Sequence, residues 1–221
     1  MDWTAAWLSL KLAGLTTLLL FLIGLPLAAW LSRTRWRGRF LIDAAVALPL
    51  VLPPTVLGFY LLQFAGPNSL TGSFYHRLTG GMLPFSFTGI LLASVICNLP
   101  FAVRPFTSAL AAVDDTLIES AWCLGVSRWK TFWRIAMPLA WPGVLTGLIL
   151  TFAHTIGEFG VVLMVGGNIR GVSRTLAVSI YDDVQSLDYN RANTTALGLL
   201  LFSFLVLGIT SALNQRKVRA S

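Results

Sequence analysis

Charge is what this sequence has least of. Only 11% of its 221 residues are Asp, Glu, Lys or Arg, against roughly a quarter in an average soluble domain. With 56% hydrophobic residues and a mean hydropathy of +0.75, that deficit excludes an ordinary soluble enzyme. It equally excludes a disordered chain, which stays unfolded through low hydrophobicity. Cysteine is scarce: Cys97 and Cys123 are too few for a disulfide-stapled secreted scaffold, and with no histidine nearby in the chain they make no metal site. The chain has no Walker A run and no HExxH, so nothing marks it as an ATPase or a zinc hydrolase in its own right. Acidic residues number nine against sixteen basic, a net +7. The basic residues flank apolar runs instead of forming one stripe, which argues against nucleic acid as a partner.

What is present is a series of uncharged stretches. Lys11 and Arg33 enclose 21 uncharged residues, Asp43 and Arg77 enclose 33, and Arg77 and Arg104 enclose 26. Arg134 and Glu158 enclose 23, and Arg191 and Arg216 enclose 24. A membrane-spanning helix needs about 20 apolar residues. The pattern predicts an all-α integral membrane protein, one transmembrane domain over 1–221, with five spans near 8–31, 42–64, 86–111, 137–163 and 192–213. The Gly- and Asn-bearing stretch from Gly66 to Gly81 reads as a loop. The first span is too long for a signal-peptide core, and its arginines follow it instead of preceding it. No period of 20–50 residues repeats, and the two halves show no inverted symmetry.

Orientation follows from the cations. Arg33, Arg35, Arg37 and Arg39 follow span 1; Arg128, Lys130 and Arg134 lie between spans 3 and 4; Arg216, Lys217 and Arg219 close the tail. Five alternating spans put all of these on one side, with Arg104 close by. The other side keeps Arg77, Arg170, Arg174 and Arg191. Positive charge collects in the cytoplasm, so the N-terminus is expected outside and the C-terminus inside. Lys11 is expected to snorkel to the outer headgroups.

The segment 114–136 carries the most information. Asp114 and Asp115 suit a helix N-terminus, Leu117, Ala121 and Leu124 recur at helical spacing, and Gly125 suits the stop. A further turn from Arg128 to Arg134 leads to Pro138, where span 4 is expected to start. Physics leaves two uses open for such a helix: resting on lipid headgroups or docking a partner. Glu119, which anionic lipid would repel, favours docking.

In the order Glu119-Ser120-Ala121, then Gly125, then Ile135 and Met137-Pro138, this segment resembles the EAA signature of ABC-importer permeases. Ser120 and Met137 replace an alanine and a leucine of the usual pattern. The resemblance implies a type I importer permease fold in which 114–136 forms the coupling helix. On this reading Glu119, Ser120, Ala121, Gly125, Ile135 and Pro138 meet an ATP-hydrolysing subunit. It further implies a permease homodimer, two ABC ATPase subunits that hold ATP and magnesium, a periplasmic oxyanion-binding protein, and no cofactor on this chain. The setting would be the bacterial inner membrane. Three more stretches narrow the likeness to the molybdate branch, with sulfate/thiosulfate permeases as near relatives. They are Leu48 to Gly58 (LPLVLPPTVLG), Gly157-Glu158-Phe159-Gly160, and Gly167-Asn168-Ile169 with Arg174-Thr175. Arg170 departs from the branch, which has proline there.

The same stretches carry physical meaning without the family. Pro49, Pro53 and Pro54 each remove a backbone donor, and in lipid a broken helix is tolerated only inside protein or along a watery cavity. Span 2 is therefore expected at the pathway, with Thr55 as a hydroxyl donor. An oxyanion path should be neutral and rich in donors, and Ser94, Asn98, Thr146, Thr151 and Thr155 are candidates. His154 and Glu158 stand four apart. They complete no enzyme motif, so a membrane-embedded enzyme is the remote alternative, and Glu158 is expected to bond within its glycine-flanked turn or to form part of a gate.

Overall fold

A computed structural model describes residues 2–218, with side chains described through Val206. The described residues form eleven α-helices and a π-helical turn, with no strands. Three continuous helical stretches are long and apolar enough to cross a membrane: Trp3–Arg33, Phe87–Ala111 and Arg128–Gly157. They form a trunk.

Helix α1 (Trp3–Arg33) starts where the Asp2 carboxylate accepts from the Thr4 and Ala5 amides, five residues before the expected start of the first span. Pro26 lies inside it without ending it. Helix α5 (Phe87–Ala111) is capped by Ser86 and covers the expected 86–111 stretch. Helix α8 (Met137–Gly157) completes the trunk. Where they cross, the Phe106 ring of α5 is fully buried and glycines on both neighbours make room for it. A Cβ on Gly147 would stand 2.8 Å from that ring, and one on Gly24 3.8 Å. Lower on α8, a Cβ on Gly143 would approach the Ala109 Cβ to 2.5 Å. Small residues let helices approach closely in lipid, where packing replaces the hydrophobic drive.

Beside the trunk the helices break. Helix α2 (Arg39–Val51) and helix α3 (Pro54–Ala65) meet at Leu52-Pro53 with a bend of 113°, and they make a fourth crossing if the pair is one span. Pro54 takes the first position of α3, where a missing N–H is harmless. The expected single span 42–64 is thus two half-helices. Helix α8 ends at Gly157, and after the extended Glu158 and the N-cap residue Phe159 the chain resumes as the short α9 (Gly160–Gly166). The expected fourth span 137–163 is broken too.

The stretch Gly66–Gly81 is not a loop. Ser69 caps helix α4 (Leu70–Thr79) by accepting from the Gly72 amide, and Gly80 ends it at φ +70°. Helix α10 (Leu176–Gln185) is capped by Thr175, and helix α11 (Tyr189–Val218) closes the fold. The part 207–213 of the expected fifth span lies outside the residues whose side chains are described, as do the tail cations Arg216, Lys217 and Arg219.

Candidate functional sites: a capped surface helix and a cavity at two helix breaks

At the Arg33 end of the trunk lies helix α6 (Asp115–Cys123). Asp114 caps it by accepting from the Thr116 amide, and that hydrogen bond holds its carboxyl below the ordinary range. At the far end Gly125 takes φ +78°, its N–H bonds the Trp122 carbonyl, and the Val126 N–H bonds the Ala121 carbonyl. These two bonds make the Schellman closure that favours glycine. Arg33 of α1 reaches Asp115 at 2.6 Å and ties the helix to the trunk.

The buried face of α6 differs from the expected stripe. Ile118 and Ala121 are buried, with Ile118 in the trunk's apolar core. Leu117 and Leu124 are 49% and 84% exposed. Helix α6 therefore turns Leu117, Glu119, Ser120 and Leu124 outward, toward whatever lies beyond the chain. Exposed Trp129 and Trp133 pack edge to face beside it, and Arg128 sits over the Trp122 ring.

Pro138 does not start a new helix. Ser127 caps α7 (Arg128–Thr131), which runs through the π-turn Phe132–Ala136 into α8. The Met137 amide reaches back five residues to the Phe132 carbonyl. Pro138 has no N–H for Arg134, the residue four back, and its ring crowds that carbonyl. The wider turn absorbs both while keeping the rod unbroken. Ile135 is half-buried in this turn.

The second site lies where the two breaks meet. A Cβ on Gly160 would come within 2.8 Å of the Pro54 Cβ, and one on Gly58 within 2.7 Å of the Met164 Cβ. Glycine at these positions brings the LPPTVLG and GEFG stretches into direct contact. A cavity of about 670 Å³ opens there, bordered by Pro54, Thr55, Cys97, Phe101, His154 and Glu158 among others. Pro53 stands exposed at the bend.

On the cavity wall and directly behind it the polar groups form one network. Glu158 is 6% exposed; its Oε2 accepts from the Cys97 thiol at 3.3 Å and stands 3.6 Å from His154 Nδ1. Asn98 donates from Nδ2 to the Ser94 carbonyl, and its Oδ1 lies 2.9 Å from His154 Nδ1. The Phe101 ring stacks on the imidazole at 3.9 Å. Ser94, Cys97, Asn98 and Phe101 come from α5, His154 from the last turn of α8 and Glu158 from its C-cap, so both trunk helices hold the site.

The expected row of donors does not line this cavity. The hydroxyls of Thr146, Thr151 and Thr155 bond the carbonyls of Pro142, Gly147 and Thr151 on their own helix. Thr151, Thr155, Asn98 and Ser94 are buried. Thr55 alone of the candidate donors is both exposed and on the cavity wall. Nothing along the chain singles out Cys97 and Phe101 as site residues; α5 brings both to the second break.

At the Asp2 end, the third stretch builds a latch. Buried Arg174 pairs with Asp182 at 2.7 Å and stands 3.9 Å from Asp2. Asn168 donates to the other Asp182 oxygen. The Ser9 hydroxyl accepts from the Leu176 amide, joining α1 to α10. Arg170, where the pattern departs, is exposed and outside this latch.

A trunk of apolar helices, two helix breaks around a cavity and a capped helix presented at one end define a membrane permease. The fold is that of ABC-importer permeases. One solved relative is a bacterial ABC transporter involved in import of the acidic polysaccharide alginate, with a TM-score of 0.76 at 17% identity over 96% of this chain and 78% of that one. Another is the MetNI methionine ABC transporter in inward-facing form, with a TM-score of 0.72 at 20% identity over 98% and 94%.

The chain belongs to the family of binding-protein-dependent transport system inner membrane components, which it matches over residues 21–219. It is 52% identical to the molybdenum transport system permease protein ModB of Azotobacter vinelandii, across 93% of this chain and 91% of that one. The corresponding Escherichia coli K12 protein is 37% identical over 84% and 81%. A probable sulfate transport system permease of Chlorella vulgaris is 32% identical over 96% and 79%.

Proposed function

We propose that this chain is the transmembrane subunit of an ATP-driven importer that carries molybdate into the cytoplasm. It would work as a pair of identical permeases, with two ATPase subunits docked below and an oxyanion-binding protein delivering cargo from outside. The 52% identity to a molybdenum permease along nearly the whole chain supports molybdate over sulfate, for which the quoted relative stands at 32%. The Arg33 end would face the cytoplasm and the Asp2 end the periplasm.

The observation that carries this reading is the outward presentation of α6. Its two ends are fixed by Asp114 and Gly125 and its inner face by Ile118 and Ala121, while Glu119 and Ser120 stand free on the surface. A helix so held can take a push without deforming. In this mechanism ATP binding closes the ATPases and carries the two α6 helices together. The push enters α7 and travels through the π-turn and past Pro138 along the unbroken Arg128–Gly157 rod. It reaches the break at Glu158, where the chain can yield. There the α3 and α9 half-helices shift against each other and open or close the cavity. Nucleotide and magnesium belong to the ATPase partner, and this chain supplies no catalytic group.

The test is molybdate accumulation in cells that lack their own uptake system, supplied with this permease, its ATPase and its binding protein. Accumulation of molybdate is expected. Glu119→Lys should leave the chain in the membrane and abolish accumulation. Uptake that persists in Glu119→Lys contradicts the docking role, and sulfate accumulation without molybdate contradicts the cargo.

A further inference from the structure

Among the described cavity-lining residues, His154 is the side chain that can become cationic; lysine and arginine are absent from the wall. Its surroundings assign its two nitrogens different tasks. Asn98 spends its Nδ2 on the Ser94 carbonyl, so the amide oxygen is what faces His154 Nδ1 at 2.9 Å. The Glu158 carboxyl oxygen is 3.6 Å from that same nitrogen. Two acceptors at Nδ1 place a hydrogen there. Phe101 stacks against the ring and fixes its plane. Nε2 meets no hydrogen-bond partner among the described residues, and the side chain is 38% exposed on the cavity wall.

We propose that His154 is the cavity's oxyanion contact, and that it takes up a second proton from water as the anion arrives. This rests on the oxyanion-importer reading above. With the cavity empty, imidazole is neutral and donates Nδ1–H to its two acceptors. When a dianion enters, the second proton binds at Nε2 and donates a charge-assisted hydrogen bond to an anion oxygen. Glu158 holds the resulting imidazolium from behind. On release the proton returns to water, and the bare Glu158 carboxylate repels the departing anion. A fixed arginine would hold its cargo, whereas an imidazole that discharges lets it go. The titratable groups facing the ring are Glu158 and Cys97. Helices α2 and α3 bring only Pro49, Leu50, Pro54 and Thr55 to this wall, α5 adds Phe101, and the neutral Asn98 is buried behind the ring.

Equilibrium binding of radiolabelled molybdate to the permease–ATPase complex, without binding protein, tests this from about pH 5.5 to about pH 8, the window of imidazole titration. Binding to the wild type should weaken about tenfold on going up through that window, the worth of one charged hydrogen bond. His154→Gln should bind weakly at every pH. His154→Lys should bind at every pH and slow uptake in proteoliposomes, because its charge persists. Glu158→Gln, which keeps the ring, should move the fall in binding to lower pH. Wild-type binding that ignores pH, or His154→Gln binding as tightly as wild type, overturns the assignment. If the complete wild-type system transports molybdate while His154→Gln matches its binding and pH profile, only this assignment fails. If the complete system moves neither molybdate, tungstate nor sulfate, the oxyanion reading fails with it.

Discussion

The trunk and the breaks use glycine and proline in opposite ways. In the trunk, Gly24, Gly143 and Gly147 let α1, α5 and α8 approach closely around Phe106, and Pro26, Pro100 and Pro105 lie inside helices that continue past them. At the breaks, Pro53-Pro54 and Gly157 to Gly160 end helices, and the freed space becomes a largely apolar cavity with Thr55, His154 and Glu158 on its wall. Buried Pro100 and half-buried Pro105 are held in line by packed neighbours, whereas the exposed Pro53-Pro54 pair stands beside a cavity with nothing to hold the two halves in line. Stiffness and compliance are thus laid side by side, which is what a lever and a gate require.

The comparison breaks most severely if the trunk is overfilled. Gly147→Leu drives a side chain into the Phe106 ring and should prevent accumulation of folded permease. Phe106→Ala, which empties the same site, should cost about 3 kcal/mol or more. Thermal unfolding in lipid nanodiscs checks both, and unchanged melting would show that the trunk is not stiff. Next in size is Gly125→Val, which forces a branched side chain to φ +78°. It should cost α6 about 1–2 kcal/mol and separate ATP hydrolysis from uptake while the trunk melts as before; tight coupling in this variant would remove α6 from the mechanism. Gly160→Ala pushes a methyl against Pro54 and should reduce uptake several-fold with little change in melting. Equal losses in both would mean that breaks and trunk are one rigid body.

The smallest effect concerns Asp114. Its hydrogen bond from Thr116 lowers its folded pKa below 3.8, so the contribution to α6 is complete above that value and is lost as pH falls through the lower, folded one. Asp114→Asn, which still caps, should erase this acid sensitivity. Amide exchange of α6 peptides in acid reads it directly, and an identical acid response in Asp114→Asn would contradict the cap.

Much of this architecture was legible in the residues. Uncharged runs marked the trunk helices because lipid demands length and apolarity before anything else. Asp114 and Gly125 marked the ends of α6 because both caps are local backbone chemistry. The buried face of α6 is not the apolar stripe of its sequence: Leu117 and Leu124 share that stripe with Ala121, but the trunk receives Ile118 and Ala121. Helix α4 was hidden by its glycines, although Ser69 and Gly80 bracket it as cap and stop. The threonines of α8 looked like pathway donors, yet a hydroxyl four residues beyond a carbonyl satisfies itself within its own helix. Asn98, His154 and Glu158 each stand out in the sequence, but their meeting with Cys97 and Phe101 depends on α5 lying against the second break, which no spacing along the chain encodes.

The central claim is that the Arg128–Gly157 rod moves as one piece and the chain yields at the breaks. Spin labels on the reconstituted transporter test it, with Cys123 replaced by serine and Cys97 left buried. One pair spans the trunk at exposed Leu18 and Trp141; the other crosses the breaks from Thr55 to Leu139. Adding ATP should leave the first distance unchanged and shift the second. A trunk distance that changes while the break distance stays constant would contradict it.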